Sequence, residues 1–178
     1  MCSVAIRPGR FGRYDRMMTD PSPQRLVQSF ASTVSADKDL LRTREEAAAW
    51  LHGAALLSPE AGLTNSEHAA LLRMRESIRD VLAAHTEGRA DAEAAARLTR
   101  ALADGRLVLT VDPASTVGLA SAARASYSSV VASIAVAVAE SAASGAWLRL
   151  KSCAAAGCGL AFLDGSVTCD VRYCPAHA

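Results

Sequence analysis

Lys151-Ser-Cys153-Ala-Ala-Ala-Gly-Cys158-Gly-Leu-Ala-Phe162-Leu-Asp164-Gly-Ser-Val-Thr-Cys169-Asp-Val-Arg172-Tyr173-Cys174-Pro-Ala-His177-Ala178 is the stretch on which the reading of the fold turns. It holds four of the five cysteines and one of the four histidines of a 178-residue chain. A segment this short cannot bury enough apolar surface to fold alone, so a dense set of metal-ligand side chains implies a metal-stapled module. Zinc is the expected metal, because pairs of soft ligands from two short turns supply its four tetrahedral corners.

Cys153 and Cys158 form the first turn, with four residues between them. Cys174 belongs to the second. Its partner is either His177, two residues on, or Cys169, which mirrors the spacing of the first pair; His177 is the preferred fourth ligand and Cys169 the alternative. Disulfides compete with this reading. They are disfavoured because Met1 to Met18 carries Arg7, Arg10, Arg13 and Arg16 and no continuous apolar stretch of the signal-peptide kind, so a cytoplasmic location with reduced thiols is expected.

Upstream, the chain reads as helical. Half of it is apolar but only 4% is aromatic, so the core must be built from Ala, Leu and Val, which favours close helix packing. Leu26, Val27, Phe30, Ala31 and Val34 share a helical face within residues 24–35, and a loop follows at 37–39. Thr43 and Glu46 make a capping box ahead of a helix over 47–57, and Thr64 and Glu67 make another. Beyond the second box Leu71, Met74, Ile78, Val81, Leu82 and His85 share one face, with Arg73, Glu76 and Arg79 on the other, and Gly88 ends the helix. A short helix is expected over 91–103.

Leu107 to Val111 is β-prone and closed by Asp112-Pro113, a lone strand or half of a small hairpin. A long helix is expected over 114–144, with Leu119, Ala123, Tyr127, Val130, Ile134 and Val138 on one stripe. It is read as the central buried helix. Serines and Glu140 interrupt it, whereas a membrane span needs about 20 predominantly apolar residues. The expected fold is therefore mainly α: a disordered arm at 1–23, a helical domain at 24–146 with one short β segment, and a zinc-binding knuckle at 147–178. The arm is either a basic arm that touches phosphate or an extension ahead of a start at Met17 or Met18.

With these residues in view, the chain resembles the CGNR zinc-finger family. The motif-bearing part is Leu148 to Cys174, with Arg149-Leu150, Cys-x4-Cys, Phe162-Leu163-Asp164 and Arg172-Tyr173-Cys174. Leu26 to Phe30, Asp39-Leu40, Glu45-Glu46, Ala49-Trp50-Leu51 and Arg75-Glu76 are similar to the ABATE helical domain that precedes the finger in that family. The resemblance implies a transcriptional regulator, often stress-linked, and carries over Cys153, Cys158 and Cys174 as ligands. The Cys-Gly-Asn-Arg that names the family and the basic tail after it are absent, and Tyr173 stands where tryptophan is usual.

No phosphate loop, nucleophile elbow or His-Glu-x-x-His occurs, and a closed four-ligand zinc leaves no site for activated water, so no enzymatic activity is expected. His52, His68 and His85 read as boundary histidines. The net charge is only +1, so any nucleic-acid contact must be local. In the module Arg149, Lys151 and Arg172 are the candidate DNA contacts, balanced by Asp164 and Asp170. Two functions remain: a regulator whose helical domain senses a ligand or partner and whose finger meets DNA, or a sensor or scaffold with purely structural zinc and no DNA binding. DNA, a small molecule and a protein are the candidate partners, a membrane is not, and a dimer is admissible.

Overall fold

In the computed structural model, residues 22–35, 38–124 and 126–178 are described. Residues 1–21 of the expected arm and Asp37 of the expected loop lie outside them.

Five α-helices dominate the described residues. α1 spans Pro23–Ala31, with Pro at its first turn, where a missing N–H leaves no bond unmade. α2 (Arg44–Gly53) and α3 (Asn65–Glu87) both start on complete capping boxes, Thr43 with Glu46 and Thr64 with Glu67. Gly88 stops α3 in the left-handed conformation, φ 66°, its N–H bonded to carbonyls of the last turn. α4 (Ala92–Leu102) is capped by Asp91, whose side chain accepts from the Ala94 N–H. Val27, Phe30, Leu51, Leu71, Met74, Ile78, Leu82, Val130 and Ile134 are fully buried and form one aliphatic core, as the shortage of aromatics requires.

The expected long helix over 114–144 is not what forms. Residues Leu107–Val111 (β1) pair antiparallel with Val117–Ser121 (β2), and only Tyr127–Ala143 is helical, as α5. Leu119, placed on the helical stripe, lies in β2 and pairs with Leu109. The reason is local and physical. Asp112 folds the turn by accepting from the Ala114 and Thr116 N–H groups, and pairing with 117–121 satisfies a β1 backbone that would otherwise be unpaired on both sides. Within α5 the predicted stripe holds, with Val130 and Ile134 fully buried.

A second hairpin, Leu150–Ser152 (β3) with Ala161–Leu163 (β4), follows a 3-10 turn at Trp147–Arg149. The single β segment expected is thus two two-stranded sheets in a mainly helical chain. Among the described residues no helix is long and apolar enough to cross a membrane.

A polar pair ties α3 to the segment that joins α1 and α2. Arg75, 5% exposed although it lies on α3, forks onto Asp39 at 2.6 and 3.1 Å and holds Glu76 at 2.8 Å. The Arg75 guanidinium keeps the Asp39 carboxyl below its ordinary range against the opposing effect of burial. The three histidines read as boundary residues each meet a backbone carbonyl: His52 with Ala61, His68 with Leu41, both at 2.8 Å, and His85 with Leu150 at 2.9 Å.

Candidate metal centre

Cys153 follows β3 directly and Cys158 lies in the loop that returns to β4, so the hairpin itself presents the first ligand pair. The loop turns on Gly157 and Gly159, both at positive φ, and closes with Cys153 N–H on the Leu160 carbonyl at 2.8 Å. The second pair arrives from the following loop: Ala154 N–H donates to the Arg172 carbonyl at 2.9 Å, which sets Cys174 against Cys153. The Cys174 N–H then donates to the Cys153 sulfur at 3.3 Å, and the His177 N–H turns back onto the Cys174 carbonyl at 2.8 Å.

The four ligand atoms of Cys153, Cys158, Cys174 and His177 all lie within 4.8 Å of one another. Cys158 Sγ is 3.9 Å from Cys174 Sγ, and His177 Nδ1 is 3.7 Å from Cys153 Sγ and 3.3 Å from Cys174 Sγ. A zinc tetrahedron has S–S edges of about 3.8 Å and S–N edges of about 3.6 Å, from bonds of about 2.3 and 2.1 Å. The donor set and its spacing fit that ion. Cys169, the alternative fourth ligand, falls outside the cluster: it sits at φ 54° with its sulfur 4.0 Å from the Leu148 carbonyl.

Burial pushes the Cys153 thiol up, but N–H donors from Cys174 and Ala155 and the adjacent thiols outweigh it and bring the pKa down to about 7. Cys158 goes the other way, raised by burial and by the negative charge its neighbours would carry. Phe162 packs against Cys153 and Cys174.

Beneath this cluster lies a group that the sequence reading assigned elsewhere. Lys151, offered above as a DNA contact, is 3% exposed and turns inward. Its ammonium donates to Asp164 Oδ2 at 2.8 Å, the Cys169 carbonyl at 2.7 Å and the Val171 carbonyl at 3.1 Å, which uses all three of its protons. Asp164 in turn accepts from the Ser166 and Val171 N–H groups at 2.9 and 3.0 Å. Burial alone would raise the Asp164 carboxyl; Lys151, Ser166 and Val171 hold it well below the usual carboxylate range. Arg149 is also engaged, donating to the Asp164 and Ser166 carbonyls at 3.1 and 2.7 Å. Arg172 is exposed.

Helix α3 holds the hairpin to the helical core. Arg79, expected on the outward face, instead bridges the Ala31 and Gly159 carbonyls at 3.0 and 3.1 Å. Its guanidinium lies so close to Gly159 that a Cβ there would meet it at 2.7 Å. The Thr86 hydroxyl both donates to the Ser152 carbonyl and accepts its N–H, at 2.7 and 3.0 Å. Leu150 and Ala161 belong to the main aliphatic core, so the base of the hairpin is shared between helical part and module. Nothing local in the sequence marks Arg79 or Thr86 for these roles; His85 alone carried a signal, its place on the apolar face.

His85 makes a testable contribution. Its ring packs edge-on to Trp147 at 5.2 Å, and burial lowers its pKa, against the Leu150 carbonyl bond and with the Lys151 ammonium. A basic group with a depressed folded pKa stabilises the fold above its unfolded value, about 6.5, and that stability is lost as pH falls through the folded value. Urea midpoints should therefore fall more steeply from pH 7 to 5 in the native protein than in His85→Gln, whose amide can still donate to Leu150. Equal slopes would refute the assignment.

A mainly helical chain thus ends in a Cys3His cluster whose geometry could hold a metal ion. The chain belongs to the ABATE family, described as "Putative stress-induced transcription regulator", which it matches over residues 24–145. The cluster beyond that match is consistent with a CGNR-type finger. No curated protein matches the chain.

Proposed function

We propose that the protein is a transcription regulator in which Cys153, Cys158, Cys174 and His177 hold one structural zinc, while the helical domain senses a ligand or partner and the module makes the macromolecular contact. The observation that carries the metal assignment is the convergence of four ligand atoms within 4.8 Å. Four protein ligands close the coordination sphere, so the ion's chemistry is structural: it fixes the 153–160 and 164–178 loops on one another. A cleft of about 640 Å³ supports the sensing role, because Val81, His85 and Arg89 of the helical part and Trp147 and Leu148 at the start of the module line it together. A ligand there touches both.

Within the module Arg172 is the exposed cation, whereas the Lys151 ammonium is wholly engaged by internal acceptors and half-buried Arg149 has its Nη1 on two backbone carbonyls. This favours a second reading, contact through a protein. Val167 is 97% exposed, and Tyr173, Leu163 and Leu148 are also exposed, apolar side chains suited to a protein surface. Duplex binding measured at two salt concentrations separates the two. If the module reads DNA, Arg172→Ala should reduce the salt slope by about one unit. Absence of duplex binding at low salt overturns DNA contact and leaves the protein-binding reading.

A further inference from the structure

We propose that the protein forms a two-fold dimer by pairing β1 with β1 of a second copy, giving a continuous four-stranded antiparallel sheet. The inference starts from the hydrogen-bond register of the first hairpin. Asp112 N–H donates to Thr116 and Ala122 N–H to Arg106, and these bonded pairs alternate with non-bonded ones along the ladder. Leu107, Leu109 and Val111 are therefore the residues whose N–H and C=O groups point away from β2. Among the described residues these groups have no partner. Their side chains are also exposed, 38%, 68% and 64% respectively. β2 rather than β1 packs along α5, so the β1 edge is the open one.

An uncharged run of Leu-Val-Leu-Thr-Val on an open edge is a template for strand addition, and it carries none of the lysines, prolines or bulges that block such pairing. The occupant follows from symmetry and charge. An antiparallel two-fold centred on Leu109 sets Leu109 opposite its own copy and Leu107 opposite Val111. All three outward-facing residues then become bonded pairs at once, with about six new N–H···O bonds. The same register brings Arg106 opposite Asp112 of the other copy at both ends, so the flanking charges are complementary. Shifting the register by two residues loses both features. Apolar neighbours extend the contact: Val117 is 41% exposed on the same face, and Leu109, Leu119 and Ala139 border a shallow cleft of about 210 Å³.

The test is the oligomeric state of the full chain by sedimentation and light scattering. The native protein should be dimeric at about 50 µM, and Leu109→Lys, which sets two ammonium groups against each other on the axis, should weaken the dimer at least tenfold. Because Leu109 is mostly exposed, the variant keeps the native circular dichroism and melting behaviour of the monomer. Register is read by mild oxidation. Leu109→Cys should link two chains, since bonded antiparallel pairs place Cα atoms about 5.5 Å apart, within disulfide reach. Val111→Cys, which faces Leu107 instead of itself, should not. A monomer up to about 200 µM would overturn the proposal and leave the edge to a strand of a different protein. So would a dimer indifferent to Leu109→Lys, or equal linking by the two cysteine variants.

Discussion

A strong chelator is expected to release one equivalent of zinc per chain and to unfold the 153–160 and 164–178 loops while most of the helical signal survives. The ligand loops have little else to hold them: their own apolar cluster is Cys153, Phe162 and Cys174 with two half-buried neighbours. Apparent binding energies for structural zinc are about 10–16 kcal/mol, far more than such a cluster supplies. The hairpin base should persist, because Leu150 and Ala161 are buried in the helical core and His85 and Thr86 bond its backbone. Hydrogen exchange after chelation checks this directly, with protection lost at Cys174 and retained at Ser152. Elemental analysis showing well under half an equivalent of zinc, with no other metal in its place, would refute the site. His177→Ala should release the metal more readily than Cys169→Ser, and the reverse order would transfer the fourth position to Cys169.

The second large effect is expected at Lys151. Lys151→Met leaves the Asp164 carboxylate, wholly buried, without its cation, and Asp164→Asn leaves the ammonium in the same state. Breaking one side of a buried pair costs about 3–5 kcal/mol, and here each single change also strands backbone groups of the 164–171 loop. Lys151→Arg should not rescue it, because three acceptors arranged around a compact ammonium do not suit a planar fork. The sign of the pH effect follows from the depressed Asp164 carboxyl: its stabilisation is complete above about pH 4, its unfolded value, and is lost only as pH falls toward the much lower folded value. Denaturant titration of the single and double variants at pH 7 measures the coupling. Single-variant losses below about 1 kcal/mol would show that the pair is an exposed one in solution.

Both effects concern the contacts that hold the module together. A metal held by the Cys3His cluster would join the two ligand loops, and the Lys151–Asp164 pair joins the second of them to the hairpin. Arg79 and Thr86 then fasten the hairpin to α3. The cleft at Trp147 borders this chain of contacts where His85 meets Leu150.

Features that depend on neighbours a few residues apart are legible in the chain alone. The capping boxes at Thr43 and Thr64, the stop at Gly88 and the aliphatic face of α3 are local devices, and each is where its spacing places it. The ligand cluster is legible for the same reason, since four thiols and an imidazole crowded into one short stretch have few other uses. Tertiary structure decided the rest. A lysine reads the same in sequence whether water or a carboxylate surrounds it, and only the fold of β3 against the 164–171 loop turns Lys151 from a surface cation into an internal cross-link. Arg75 with Asp39 and Arg79 with Gly159 are likewise pairings across 36 and 80 positions of chain, beyond any periodicity. The β2 strand shows the converse: alanine and leucine spacing there matches a helix, and it is the backbone of β1, needing a partner along one side, that makes it a strand.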